Sequence, residues 1–402
     1  MSSAVIQVPA SARSVRLAAL PPLSLYVHLP WCVRKCPYCD FNSHEARAGL
    51  PEDDYVDALV ADLESTLPSV WGRRVYTVFF GGGTPSLFSA RSIARLLAAV
   101  RARLPLDANA EITLEANPGT FESDKFRDFR AAGVNRLSIG IQSFDPAHLE
   151  ALGRIHDDRE AHRAVEIALA HFDNFNLDLM YALPGQTETG ARRDVEAAIA
   201  SGAPHISAYH LTIEPNTFFA RHPPPLPNED AAAAIHDVVE GSLAAAGYAH
   251  YETSAYAKPG RESRHNLNYW RFGDYLGIGA GAHAKISFPD RIVREVRART
   301  PAEYMRRVAE GTQTVERREI GRSELPFEFM MNALRLAAGF DIALFTERTG
   351  LPISAGEAPL AQAEAKGLVE RDHVRIRPTE RGRRFLNDLL ELFLVSENEG
   401  AQ

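Results

Sequence analysis

The chain has 402 residues, 45% of them hydrophobic and 24% charged, with a net charge of −8 at neutral pH. That length holds one large domain and a smaller one, and the composition is that of a soluble globular protein. The acidic balance offers no broad basic surface for nucleic acid, and no run of eighteen apolar residues supports a membrane span.

The first twenty residues hold Arg13 and Arg16 among scattered Ala, Ser and Pro, without an apolar core or cleavage site. They read as a disordered leader, not a signal peptide. From residue 23 to about 212, short β-branched or aromatic runs alternate with longer amphipathic ones, the pattern of parallel βαβ units. Strands are predicted at 24–29, 74–80, 110–115, 136–142, 175–181 and 205–211, and helices at 51–67, 89–103, 122–132, 158–171 and 188–201. The first helix opens on Pro51 and the acids Glu52, Asp53 and Asp54, with Tyr55, Leu59, Leu63 and Leu67 along one face. Six such units make an α/β fold, a curved parallel sheet or an incomplete (β/α)6 barrel of TIM-like type, the latter being the expectation. Pro223 to Pro227 form a stiff connector before a helix at 228–246. Beyond 290 the composition turns helical and rich in Arg and Glu. Stretches 301–310 and 322–337 are amphipathic, and 341–402 reads as two helices, a short strand pair around Leu368–Ile376 and a helix at 379–394. The organisation expected is a leader over 1–20, a barrel over 21–290 and a small helical domain over 291–402.

All three cysteines, Cys32, Cys36 and Cys39, fall within eight residues after the first strand. Spacings of four and three gather the sulfurs around one centre, and thiolates prefer soft metals and iron–sulfur clusters. A [4Fe–4S] cluster usually takes four cysteines. With three, the fourth iron keeps a face open to a small chelating molecule. Zinc is the rival, with His28 or His44 as its fourth ligand. An exposed cluster iron requires a reducing compartment, which points to the cytoplasm.

Other polar residues mark the carboxyl ends of successive strands. Gly81, Gly82, Gly83 and Thr84 follow the second, Glu115 ends the third, Gln142 ends the fourth, Asp178 sits in the fifth and His210 closes the sixth. Barrel-type folds build their sites at this end. Three glycines let main chain approach a ligand, or simply make a tight turn, and no Gly-Lys-Ser/Thr follows to make a P-loop. Glu115 and Asp178 read either as salt-bridged strand ends or as partners for a cation and hydroxyls. Arg154 reads as a solvated charge or as a guanidinium fork for a carboxylate.

Cys32-x3-Cys36-x2-Cys39 after a strand ending Tyr26-Val-His-Leu-Pro30 resembles the radical S-adenosylmethionine (SAM) superfamily, in which SAM chelates the unique iron through its amine and carboxylate. Over roughly 23–393 the chain is similar to the oxygen-independent coproporphyrinogen III oxidase group, and more closely to its haem-chaperone (HemW-type) branch. The strings that carry this are Leu25-Tyr-Val-His-Leu-Pro30, Cys39-Asp-Phe-Asn-Ser43, Gly81-Gly-Gly-Thr-Pro85, Asn176 to Thr187, Arg264-His-Asn-Leu-Asn-Tyr-Trp270 and Tyr275-Leu-Gly-Ile-Gly279.

The resemblance implies a [4Fe–4S] cluster on the three cysteines and SAM contacts at Tyr26, Tyr38, Gly82, Gly83, Thr84, Glu115, Gln142, Arg154 and Asp178. Oxidase-like members carry a further cysteine two places after the triad; here Phe41 stands there. That favours a carrier, which binds haem and hands it to an apo-haemoprotein such as a membrane cytochrome. The alternatives are an oxidative decarboxylase of coproporphyrinogen III and a haem-modifying enzyme. An external electron donor is implied, and a homodimer is among the assemblies expected. His265 is the haem candidate, because imidazole is a common axial ligand and Tyr269 and Trp270 offer flat apolar surface. A packed, hydrogen-bonded histidine is the bland reading. His250 and His283 are rivals. The carboxyl-terminal part resembles a winged-helix appendage, read as a lid or docking surface because its arginines are mixed with acids. The sequence departs from the family pattern at Ala182 and Ala280, where members often have Gly and Pro.

Overall fold

The structure, a computed structural model, describes residues 15–46, 49–119 and 123–394. Twelve strands form its central sheet: β1 (Leu23–Leu29), β2 (Val75–Gly82), β3 (Leu106–Ala116), β4 (Arg136–Gln142), β5 (Phe175–Tyr181), β6 (His205–His210), β7 (Ala249–Glu252), β8 (Ala255–Ala257), β9 (Asp274–Ile278), β10 (His283–Ser287), β11 (Ile292–Arg297) and β12 (Thr314–Glu319). Their order is β12-β11-β10-β9-β1-β2-β3-β4-β5-β6-β8-β7. Strands β1 to β6 are the six predicted ones, each parallel to the next. No pairing closes β6 back onto β1, so the barrel is incomplete.

Leu25, Val27, Val78, Phe80, Leu114, Leu137, Ile139 and Leu177 are buried, as expected of parallel strands covered on both faces. The covering helices are Glu52–Val70, Ala90–Arg103, Ser123–Ala132, Asp158–His171, Glu188–Ala200 and Glu229–Ala245, close to their predicted bounds. Their starts are written locally: Asp157 and Glu160 form a reciprocal capping box on the fourth, and Asn228 caps the last.

Two features depart from the sequence reading. β9 is a seventh parallel strand, on the far side of β1. The segment after 290, expected to be helical, first adds β11 and β12 to the sheet. β12, at the edge, reads Thr-Val-Glu-Arg-Arg-Glu and is almost wholly exposed, so charges that guard an edge hide the apolar alternation. Beyond it, helices and a three-stranded sheet (Phe340–Asp341, Val369–Arg371, Arg375–Pro378) enclose a second core around Phe329, Phe345, Leu360 and Leu389. Residues 1–14 of the expected leader lie outside the described residues. Val15 and Leu17, at its end, are buried in that second core, and the Leu17 N–H donates to the Pro289 carbonyl.

Buried ion pairs fasten the additions to the barrel. Asp274 on β9 meets Lys285 Nζ on β10 at 2.9 Å and Arg73 at 2.8 Å. Asp62, on the first helix, accepts from Arg297 at 3.0 Å and from the Tyr304 hydroxyl at 2.8 Å.

Candidate cofactor site

A cavity of about 360 Å³ opens at the carboxyl ends of the parallel strands. Just past β1, Trp31 and Cys32 pair with His44 and Glu45 in a two-residue parallel ladder, which folds the intervening chain into a loop at the cavity mouth. Cys32 ends that ladder strand and Cys36 and Cys39 lie on the loop; all three are half-buried, form no disulfide and line the cavity. Each thiol has a polar neighbour: Thr84 Oγ1 lies 3.5 Å from Cys32, Arg154 Nη1 3.6 Å from Cys36 and Ser43 Oγ 3.8 Å from Cys39. Burial pushes the Cys32 and Cys39 thiols up, and the hydroxyls of Thr84 and Ser43 work in the opposite sense.

Neither histidine proposed for zinc joins them. His28 is buried, with Nδ1 held by the Tyr26 hydroxyl at 2.9 Å and Nε2 by the Asn42 carbonyl at 2.9 Å. Burial holds it neutral, down to about 4. His44 faces Asn42 through Nε2 at 3.2 Å and does not line the cavity. Among the described residues no three His, Cys, Asp or Glu side chains stand together in metal-ligand geometry, the three cysteines included. The thiols share one cavity mouth, with neither His28 nor His44 in its lining, a donor set that suits a cluster exposing one iron better than a structural zinc.

The glycine run packs against the cysteine loop and is more than a turn. The Gly83 N–H donates to Leu29 and that of Thr84 to Trp31. A Cβ on Gly83 would lie 2.5 Å from the Trp31 carbonyl oxygen, and Gly82 has φ +125°. The Gly82 N–H donates to Glu115 Oε2 at 3.0 Å. Glu115 is pushed up to about 8, by burial first and then by Asp178. Burial also raises Asp178, against the hydrogen bonds it accepts from Ser138 at 3.0 Å and Asn176 at 2.7 Å. Two carboxylates in one low-dielectric wall make a place for a cation and for hydroxyl donors.

Arg154 is no surface charge. Its Nη2 donates to Asn117 Oδ1 at 2.6 Å and to the Gly140 carbonyl at 2.7 Å, while its buried Nε has no partner. Tyr38 stands beside it and packs on Phe219. Gln142 lines the wall from a left-handed conformation, φ +68°. Eight of the nine expected SAM contacts thus line one cavity. Tyr26 does not: it lies behind Gly81 with its hydroxyl on His28. Sequence reasoning missed Asn117, Ser138, Gly140 and Met180 in the wall. Each stands two or four places along the strand from an expected residue, so the period of two would have found them.

Helix Arg264–Trp270 lies at the other end of the barrel. The carboxylate of Glu111, on β3, accepts its first N–H groups, from Arg264 at 3.1 Å and His265 at 3.0 Å. His265 is 1% exposed; Nδ1 meets Thr77 Oγ1 at 2.8 Å and Nε2 the Tyr269 hydroxyl at 3.1 Å. Burial, and then Arg136, hold it neutral, down to about 3. His250 stacks on Tyr256, and His283 lies on β10; the structure does not bring the three histidines together. Of the two departures from the family pattern, Ala182 is buried with φ +55°, and the Ala280 N–H donates to the Tyr55 hydroxyl at 2.9 Å, a bond that proline could not make.

Comparison with known proteins agrees with this geometry. Residues 26–198 match the radical SAM superfamily and residues 321–385 the HemN C-terminal domain. The chain is 51% identical to heme chaperone HemW of Escherichia coli K12 over 383 residues, 94% of this chain and 100% of that one. It is 33% identical to heme chaperone HemW of Bacillus subtilis 168 over 383 residues, 92% of this chain and 99% of that one. Among solved structures, E. coli coproporphyrinogen III oxidase (HemN), a radical SAM enzyme, superposes with a TM-score of 0.80 at 25% identity, covering 93% of this chain and 90% of that one.

Proposed function

This chain belongs to the HemW family of the radical SAM superfamily, and from that membership we propose that it is a haem chaperone, binding haem on a cluster-and-SAM scaffold and passing it to an apo-haemoprotein. The observation that carries the reading is the 51% identity, over 94% of this chain, with a protein named as a heme chaperone. The cysteine count supports it, because Phe41 occupies the place where oxidase-like relatives have a further cysteine.

Cys32, Cys36 and Cys39 would hold the cluster, and SAM would take the cavity behind it. When bound, the cluster supplies a redox-active iron with one face open to SAM. The chain's own groups do the rest. Thr84 and Ser43 hydroxyls sit against Cys32 and Cys39 and favour their thiolates. Arg154, fixed by Asn117 and Gly140, sets a permanent cation beside Cys36, where it would pair with the carboxylate of SAM. Glu115 and Asp178 face the cavity, where a sulfonium would draw them into their charged forms. Met180 and the Gly82 main chain shape the wall and limit water.

The segment carrying His265 enters the proposal through the family motif. In the folded barrel both its ring nitrogens are engaged. Iron ligation at Nε2 therefore requires the Tyr269 hydroxyl to give way. No helix among the described residues is long and apolar enough to cross a membrane.

The test is to give anaerobically reconstituted, reduced protein haem and, separately, coproporphyrinogen III. Stoichiometric haem retention, weakened in His265→Ala, with no porphyrin conversion is the expected result. Sustained formation of protoporphyrinogen IX would overturn the carrier reading.

A further inference from the structure

We propose that Tyr251, His205 and Asn176 are positioning residues for the cofactor cavity: a one-way chain of hydrogen bonds, begun at the main-chain N–H of Ser263, presents Asp178 to the cavity as an acceptor on both oxygens. The inference rests on the reading of that cavity as the SAM site.

Six groups make the chain. Ser263 N lies 3.2 Å from the Tyr251 oxygen, and that oxygen 2.8 Å from His205 Nε2. His205 Nδ1 lies 2.6 Å from Asn176 Oδ1. Asn176 Nδ2 lies 2.7 Å from Asp178 Oδ1 and 2.8 Å from Ser138 Oγ, which lies 3.0 Å from Asp178 Oδ2.

The direction follows from the chemistry of the members. A carboxylate only accepts, so Asn176 turns its amide nitrogen to Asp178 and its oxygen to His205 and to the Ser207 hydroxyl, at 3.1 Å. Two acceptors would repel at the separation of Asn176 Oδ1 and His205 Nδ1, so Nδ1 carries the proton. His205 is 1% exposed, and burial, with Arg136 nearby, keeps its ring neutral. Nε2 is then bare and takes the single proton of the Tyr251 hydroxyl, whose oxygen accepts from Ser263. Each proton is used once. In a dry interior such a chain polarises in one sense, toward the carboxylate.

Asp178 also faces Glu115 from β3, Arg136 from β4, and Tyr209 and the Ser207 hydroxyl from β6. Ser207 gives its proton to Asn176 at 3.1 Å, and the others do not supply the directed donors that Asn176 and Ser138 do. The far end of the chain is not arbitrary either. Ser263 caps helix Arg264–Trp270, its Oγ accepting from the Asn266 N–H, so the carboxylate in the cavity wall is tied through the barrel to the segment bearing His265.

Breaking the chain remotely should be felt at Asp178. In Tyr251→Phe, Nε2 loses the donor that polarises and positions the ring, so Nδ1–H holds the Asn176 oxygen less firmly. The Asn176 amide is then less fixed and donates more weakly to the carboxylate. Asp178 takes up a proton more readily and stops accepting.

The experiment is equilibrium dialysis of SAM with anaerobically reconstituted protein across the neutral pH range. It compares wild type, Tyr251→Phe and Tyr248→Phe, the last removing a buried hydroxyl that donates to the Ala203 carbonyl, outside the chain of bonds to Asp178. Tyr251→Phe is expected to bind about fivefold more weakly, with the acid limit of binding moved to higher pH. Tyr248→Phe is expected to match wild type. His205→Asn breaks the next link and carries the test if Tyr251→Phe does not fold. Equal affinity and acid limit in Tyr251→Phe and wild type would overturn the relay, as would the same loss in Tyr248→Phe. A wild-type protein that binds no SAM would overturn the site reading instead.

Discussion

Replacing Glu115 with Gln keeps an acceptor for the Gly82 N–H, 3.0 Å away, and removes one charge from the cavity wall. The wild-type carboxyl is pushed from its ordinary 4.5 up to about 8, by burial and then by Asp178. The folded state thus holds this proton more tightly than the unfolded chain does. The stability it contributes is complete below about pH 4.5 and lost as pH rises through about 8. At ~1.4 kcal/mol per unit, the whole shift corresponds to about 5 kcal/mol. Glu115 borders the cavity, where solvent screens it, so about 2 kcal/mol is the expected penalty on the apoprotein at alkaline pH. For a chain of this size that is a shift of about 2 °C in unfolding temperature. Thermal unfolding of the two apoproteins over a pH series measures it. Glu115→Gln should unfold at higher temperature than wild type above about pH 8, with the gain shrinking toward acid. Added SAM should reverse the order, since the sulfonium favours the ionised wild-type carboxylate. A gain that is the same at every pH, or a loss at alkaline pH, would refute the argument.

Three further outcomes are expected. Ala182→Gly relieves a left-handed alanine at φ +55°, worth ~1–2 kcal/mol, offset by the extra freedom of glycine in the unfolded chain. The net gain of about 0.5 kcal/mol should appear as a higher urea midpoint, and a lower one would show that the backbone there is unstrained. Asp62→Asn leaves the Arg297 guanidinium, 1% exposed, with Glu295 alone as its counter-ion, and should cost ~3 kcal/mol in the same assay. Cys36→Ser removes one of three donors, and iron and sulfide uptake on anaerobic reconstitution should fall severalfold; uptake equal to wild type would place the cluster elsewhere.

Much of this protein was legible in its residues. Short β-branched and aromatic runs located β1 to β6, because strands buried on both faces are apolar almost throughout. Crowding of all the cysteines marked the loop at the cavity mouth, because thiolates so close in sequence must share one place in space. Strand ends pointed to one mouth because parallel strands all finish on the same side.

What the residues could not convey is which groups share an environment. Tyr26 and Tyr38 both carry a ring and a hydroxyl, yet only Tyr38 reaches the cavity, because Gly81 and His28 lie between it and Tyr26. Arg154 could have been solvated; Asn117 and Gly140 hold it in the wall, and their approach depends on how β3 and β4 pack. His265, apparent as a ligand beside Tyr and Trp, is closed by Thr77 and Tyr269, one of them 188 positions away in the chain. Composition and spacing determine which atoms are available to bind a metal or a cation. Burial, the partners left to each polar atom and the direction of its hydrogen bonds are long-range properties, and only the packed barrel decides them.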